Sequence, residues 1–151
     1  MLSLSLVGAM LIGVAIPLQR TLHTYQRALN IQDAITHIEE ESLSVFYEAV
    51  LSSRCLVQDG LSMSTITMPA SDGLATYQVR YRQDGQPHTP PRDIEIEVTL
   101  DASQSLVDLS YYLSPDEIAP PSTLRFYIPI VIEQPDWSGW NLSTGCFEYS
   151  S

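Results

Sequence analysis

Asp93, Glu95 and Glu97 stand at alternate positions, so an extended chain projects all three carboxylates from one face. Aligned acids can pass protons or gather a cation. Arg80 and Arg82 alternate in the same way on a nearby run. Antiparallel pairing of the two runs would set them against Glu95 and Glu97, as cross-strand ion pairs worth about a few tenths of a kcal/mol each. Asp101, Asp108, Asp116 and Glu117 would bind calcium only if a loop gathered them, and their spacing is not that of an EF-hand loop. His23, His37 and His88 have no metal-ligand spacing with one another or with a cysteine. The chain contains no G-x-S-x-G, P-loop, H-E-x-x-H or C-x-x-C pattern. These residues predict a protein that is not an enzyme, with no catalytic residue, no cofactor and no metal site.

Cys55 and Cys146 are the two cysteines. Paired, they would close a loop of roughly 90 residues, worth up to about 4–5 kcal/mol of loop-closure entropy. Unpaired, they would be two buried thiols. Asn141-Leu142-Ser143 matches the N-glycosylation acceptor pattern, which has meaning only in a cell that glycosylates asparagine.

The formal net charge is −11, from 18 acids against seven bases, and every base is arginine. A surface this acidic repels phosphate and argues against nucleic-acid binding. It also disfavours charge attraction to an anionic lipid surface.

The elements that would position these residues begin with a run that has no charge, Leu2 to Leu18. As a helix it would measure about 25 Å, slightly less than the roughly 30 Å of a bilayer core, with Arg20 placed to snorkel to an interface. We expect a retained anchor over residues 1–18. A cleavable signal peptide and a buried core helix are the alternatives. Gly8, Ala9, Gly13 and Ala15 would allow close helix approach in lipid. Gly13 and Pro17 predict a kink or an unwound patch between them.

From Arg20 to Ser53 there is neither proline nor glycine. Ile31, Ile35, Ile38, Val45, Phe46, Ala49 and Val50 recur at steps that give one apolar helix face, and Leu22, Tyr25, Ala28 and Leu29 extend it upstream. Residues 19–53 therefore continue the first helix as an amphipathic one. Residues 54–151 read as a β-rich domain. Ser62–Met68 is a short strand candidate. Ala75, Tyr77, Val79 and Tyr81 alternate with polar residues, as do Ile94, Ile96, Val98 and Leu100, so the two runs are antiparallel neighbours. Ala102–Leu113 fits a strand or a short helix, and Leu106, Leu109 and Leu113 favour the helix. Ser114–Ser122 reads as a loop. Leu124–Glu133 is a strand candidate that Pro129 assigns to an edge or a bulge. Trp137, Trp140, Tyr111, Tyr112 and Phe147 either close a small core or form a contact surface. The fold class is α+β: a long N-terminal helix packed on a small antiparallel sheet.

This order of parts, an apolar start containing Pro17, a long amphipathic helix through Ser53 and then a small sheet, resembles the type IV pilin-like superfamily, which includes pilus subunits and the pseudopilins of type II secretion. The resemblance covers the whole chain in architecture and the first 50 residues or so in sequence pattern. It implies a disulfide between Cys55 and Cys146. It also implies assembly into a surface or periplasmic filament, with Leu2, Leu4, Leu6, Gly8, Ala9, Leu11, Ile12, Gly13, Ile16 and Pro17 packing in the membrane and then in the filament core. Ser5 stands where processed members carry glutamate, and Pro17 falls a few residues early, which points to a minor, tip or initiating subunit with Met1 as a methylatable first residue. The implied partners are other copies or homologous subunits and an inner-membrane assembly machinery. The implied location is the inner membrane before assembly, then a surface filament or the periplasm. The alternative is a single-pass, membrane-anchored extracytoplasmic binding domain that does not polymerise.

Overall fold

A computed structural model describes residues 2–86, 88–102, 104–133 and 137–148, with side chains from residue 15 onward. Its first element, α1 (Leu2–Ser53), is one helix of 52 residues. The helix is unbroken through Pro17, so the expected unwound patch is not present. The hydroxyl of Thr21 donates to the Pro17 carbonyl at 3.0 Å. α1 ends where Arg54 adopts a left-handed conformation (φ 60°) and its amide donates to the Val50 carbonyl at 2.7 Å.

The sheet follows as β1 (Ala75–Arg82), β2 (Asp93–Leu100), β3 (Glu117–Ala119) and β4 (Thr123–Pro129), in the order β1-β2-β4-β3 with every pair antiparallel. Helix α2 (Leu106–Leu113) links β2 to β3. It starts at Ser105, whose hydroxyl accepts from the Asp108 amide at 3.3 Å, and it ends at Ser114 in a left-handed conformation. A single turn of 3-10 helix (Trp137–Gly139) precedes a terminal hairpin, β5 (Trp140–Asn141) and β6 (Cys146–Phe147).

The core lies between α1 and one face of the sheet. Ala28, Ile31, Ile35 and Ile38 of α1 share it with Ala75, Tyr77 and Val79 of β1, Ile94, Ile96, Val98 and Leu100 of β2, and Leu124 and Phe126 of β4. α2 adds Leu109 and Leu113. The alternation read from β1 and β2 therefore assigns the inner face correctly. A long N-terminal helix packed against a small antiparallel sheet is the observed architecture.

Several expectations change. Ser62–Met68 is not a strand but a run of tight turns: the Thr65 and Ile66 amides both donate to the Ser62 carbonyl, at 3.0 and 3.3 Å. Its apolar residues are still used, since Leu61, Met63 and Ile66 are buried in the core. Ser114–Ser122 contains β3, whose three residues close one edge of the sheet. β4 is an interior strand, and Pro129 is tolerated because it is the last residue of β4, beyond the reach of β3.

The membrane expectations also fall. Among the described residues no helix is long and apolar enough to cross a membrane. This corrects the transmembrane segment and the inner-membrane stage before assembly. Where side chains are described, from residue 15, only Ala15, Ile16, Pro17 and Leu18 precede Gln19, Arg20, His23 and Arg27.

Candidate assembly surface

From Ala15 to Arg27 no described side chain of α1 is buried; Ala28 is the first. The helix therefore runs well beyond the domain that packs on it. Along this stretch Leu18, Leu22, Tyr25 and Leu29 recur at steps of four, three and four, which aligns them on one face. All four are exposed, Leu18 at 60% and Leu22 at 58%. At about 100° per residue this face lies roughly 130° around the helix from the buried stripe of Ala28, Ile31, Ile35 and Ile38. Leu22, Tyr25 and Leu29 do not extend the buried stripe, as the sequence periodicity suggested. They form a second apolar face that the helix–sheet core does not cover; among the described residues only Tyr25 meets a domain side chain in a ring contact, that of Tyr112.

Of the expected packing positions, Ile16 and Pro17 are exposed on this projecting part. The side chains at Leu2, Leu4, Leu6, Gly8, Ala9, Leu11, Ile12 and Gly13 lie outside the described residues.

Tyr112 meets Tyr25 edge-on, with ring centroids 5.7 Å apart, and Tyr111 meets Tyr112 at 5.4 Å. These tyrosines join α2 to the base of the projecting helix, and Tyr111 is 82% exposed. On the flank of the same junction an open cavity of about 430 Å³ is lined by Arg20, His23 and Arg27 of α1 and by Gln104, Ser105 and Asp108.

Trp137 and Trp140 lie elsewhere. Their rings pack with Phe147 at centroid distances of 5.0–5.9 Å. The three form a separate aromatic cluster on the terminal hairpin, outside the helix–sheet core. A disulfide between Cys55 and Cys146 fastens that hairpin to the end of α1. Backbone bonds flank it: the Leu56 amide donates to the Gly145 carbonyl at 3.0 Å, and the Phe147 amide to the Arg54 carbonyl at 2.8 Å. Asn141 closes the hairpin turn, its Oδ1 accepting from the amide and hydroxyl of Ser143 at 2.8 and 2.6 Å.

The aligned acids of β2 belong to an ion-pair network on the outer face of the sheet. Arg82 grips Asp93 with two bonds of 2.7 and 2.5 Å, and Arg80 meets Glu95 at 2.5 Å. Arg125 bridges Glu97 at 3.0 Å and Glu117 at 2.7 Å. The Arg82 guanidinium also lies 4.0 Å from the centroid of the Tyr127 ring. The register sets Arg80 against Glu95, one of its expected partners, but Arg82 against Asp93, and gives Glu97 to Arg125. Asp93 and Glu95 are buried beneath the arginine side chains. The hydrogen bond from the Tyr127 hydroxyl, at 2.6 Å, holds the Glu117 carboxyl below its ordinary value against slight desolvation, with help from the charge of Arg125.

Four carboxylates (Asp93, Glu95, Glu97, Glu117) here meet four guanidinium groups (Arg80, Arg82, Arg92, Arg125). The network is neutral, so the net charge of −11 resides entirely in the rest of the chain. Its acids are held by guanidinium groups rather than gathered around an ion, and among the described residues no three His, Cys, Asp or Glu side chains come together as a metal site. The network can stiffen the sheet. What the molecule leaves unsatisfied is the apolar face of α1.

A scan against protein-family models, a search of the curated proteins and a search of the solved structures find no match to this chain.

Proposed function

We propose that the protein is a structural subunit that assembles with further copies or homologous subunits into a filament, using the projecting part of α1 as its adhesive element. One observation carries the reading: α1 continues far beyond its own domain, and its exposed part bears the aligned apolar residues Leu18, Leu22, Tyr25 and Leu29. A domain of this size does not need a helix of 52 residues for its own core. Neighbouring helices would remove this apolar face from water, at roughly 25 cal/mol per Å² of apolar surface buried. The order of parts supports the same reading, because it resembles that of type IV pilin-like subunits.

In this role the sheet domain is a rigid outer body. The neutral ion-pair network keeps the face of the sheet away from α1 free of unpaired charge. The disulfide holds the Trp137–Trp140–Phe147 cluster in a fixed place relative to α1, where it is available for contact between domains.

The test is electron microscopy of the full chain beside its Leu18→Glu variant. The wild type forms filaments. The variant keeps the circular dichroism and melting of the folded domain but forms none. A variant that assembles like the wild type would refute the role given to this face.

A further inference from the structure

Seven arginines face eighteen acids in this chain. Four of the seven are engaged on the outer face of the sheet. Arg20 and Arg27, both exposed, make no ion pair among the described residues; Asp108 shares the cavity beside them without closing one. They lie seven positions apart, two helical turns, and therefore on nearly one line along α1. Further down that line come Ala34, then Glu41 and Glu48, each again at a step of seven. Glu41 is half-buried and Glu48 exposed, and among the described residues neither makes an ion pair; Glu48 accepts a 3.5 Å bond from Ser44. One edge of α1 thus carries two unpaired cations on the projecting part and two unpaired anions beside the domain.

Glu41 follows Arg20 by 21 positions, and Glu48 follows Arg27 by the same 21. We infer that a second copy lies parallel to the first with its α1 displaced by 21 residues, about 31 Å along the axis, so that Arg20 and Arg27 of one copy meet Glu41 and Glu48 of the next. This rests on the filament reading above and adds a second contact to it, since the Arg20–Arg27 line lies on the side of α1 opposite Leu18, Leu22, Tyr25 and Leu29. The charges are complementary only between copies, because within a chain the two groups are three helical periods of seven apart. A left-handed wrap of the two helices cancels the small drift of a seven-residue repeat and keeps both pairs in contact. The contact is head-to-tail: each copy that receives a neighbour's arginines still presents its own, so the chain of contacts propagates. An antiparallel pair centred on Ala34 would instead match Arg20 with Glu48 and Arg27 with Glu41, and would close after two copies.

Charge exchange in the full chain separates these arrangements. Sedimentation and electron microscopy at low and moderate salt would follow Arg27→Glu, Glu48→Arg, and the double variants Arg27→Glu/Glu48→Arg and Arg27→Glu/Glu41→Arg, with thermal melts as the control for folding. Each single variant is expected to weaken association about tenfold or more, and Arg27→Glu/Glu48→Arg to restore it. Restoration by Arg27→Glu/Glu41→Arg instead would overturn the parallel register in favour of the closed pair. Assembly indifferent to all four variants would overturn the electrostatic contact and leave the apolar filament reading standing. A wild type that never associates would overturn both.

Discussion

Ala28 is the first residue of α1 buried by the sheet domain, while Leu29, its neighbour in the chain, remains 40% exposed. One step along a helix is about 100° of rotation, and here that step separates the face that builds the domain from the face that projects beyond it. The two stripes overlap along this part of α1, so the helix can pack on its own sheet and on another molecule at once.

The bond between Arg82 and Asp93 should be a main support of the sheet. Asp93 is buried, and its other cation, Arg92, is 3.8 Å away. Arg82→Ala should lower stability in urea unfolding, because it leaves the buried Asp93 carboxylate with Arg92 alone. Adding Asp93→Ala should recover part of that loss, since the stranded charge is removed.

Stability should fall in acid partly through Asp72. Burial acts to raise its carboxyl. Bonds from the Tyr77 hydroxyl (2.6 Å) and from the Leu74 and Ala75 amides (2.8 and 3.0 Å) outweigh that and hold it below the ordinary 3.8. A carboxyl lowered on folding contributes its stability above the unfolded value and loses it as pH falls through the folded one. Asp72→Asn should therefore lower the melting temperature at pH 7 and flatten its decline below about pH 4, the unfolded carboxyl range. Equal slopes for wild type and variant would contradict the assignment.

Ser42 occupies the core stripe of α1, fully buried, and its hydroxyl has no hydrogen-bond partner among the described residues. A buried unsatisfied hydroxyl costs about 1–3 kcal/mol. Ser42→Ala should raise stability by about 1 kcal/mol in urea, whereas Ser42→Asn should lower it by enlarging a polar group in a packed site.

The terminal hairpin depends on its fastening. Loss of the Cys55–Cys146 bond by double replacement with alanine should cost about 2–5 kcal/mol and open the half-buried Trp140 to fluorescence quenchers. Gly145→Ala should perturb the same place. Gly145 has φ +70°, and a Cβ there would come 2.5 Å from the Val57 side chain. Unchanged tryptophan quenching in both variants would show that the aromatic cluster is held by other means.

Local patterning made much of this fold legible. The alternation at Ile94, Ile96, Val98 and Leu100, the helical spacing at Leu106, Leu109 and Leu113, and the length of α1 each follow from a single periodicity. The turns at Ser62–Met68 did not, because a short apolar run has the same composition whether it extends or coils. β3 was hidden among prolines, since its three residues acquire strand geometry only by pairing with β4. The outer network was half visible. Arg80, Arg82 and the β2 acids announced a pairing, but the register needed the β1–β2 connection, and the share taken by Arg125 needed β4 as the third strand. At the candidate surface, Leu22, Tyr25 and Leu29 fit the buried periodicity well enough to be counted with it. Only the placement of the sheet against Ala28, Ile31 and Ile35 shows that this face turns away from it.

The central claim is that the exposed apolar face of α1 is covered by other copies. Hydroxyl-radical footprinting of the full chain, read by mass spectrometry in assembled and dissociated samples, measures this directly at Leu18, Leu22, Tyr25 and Leu29. The account predicts strong protection of all four on assembly, with Leu51 and Tyr111, which start more exposed, as comparison sites that keep their labelling. Equal labelling of the four in both samples, or a chain that stays monomeric at every concentration with them freely labelled, would contradict it.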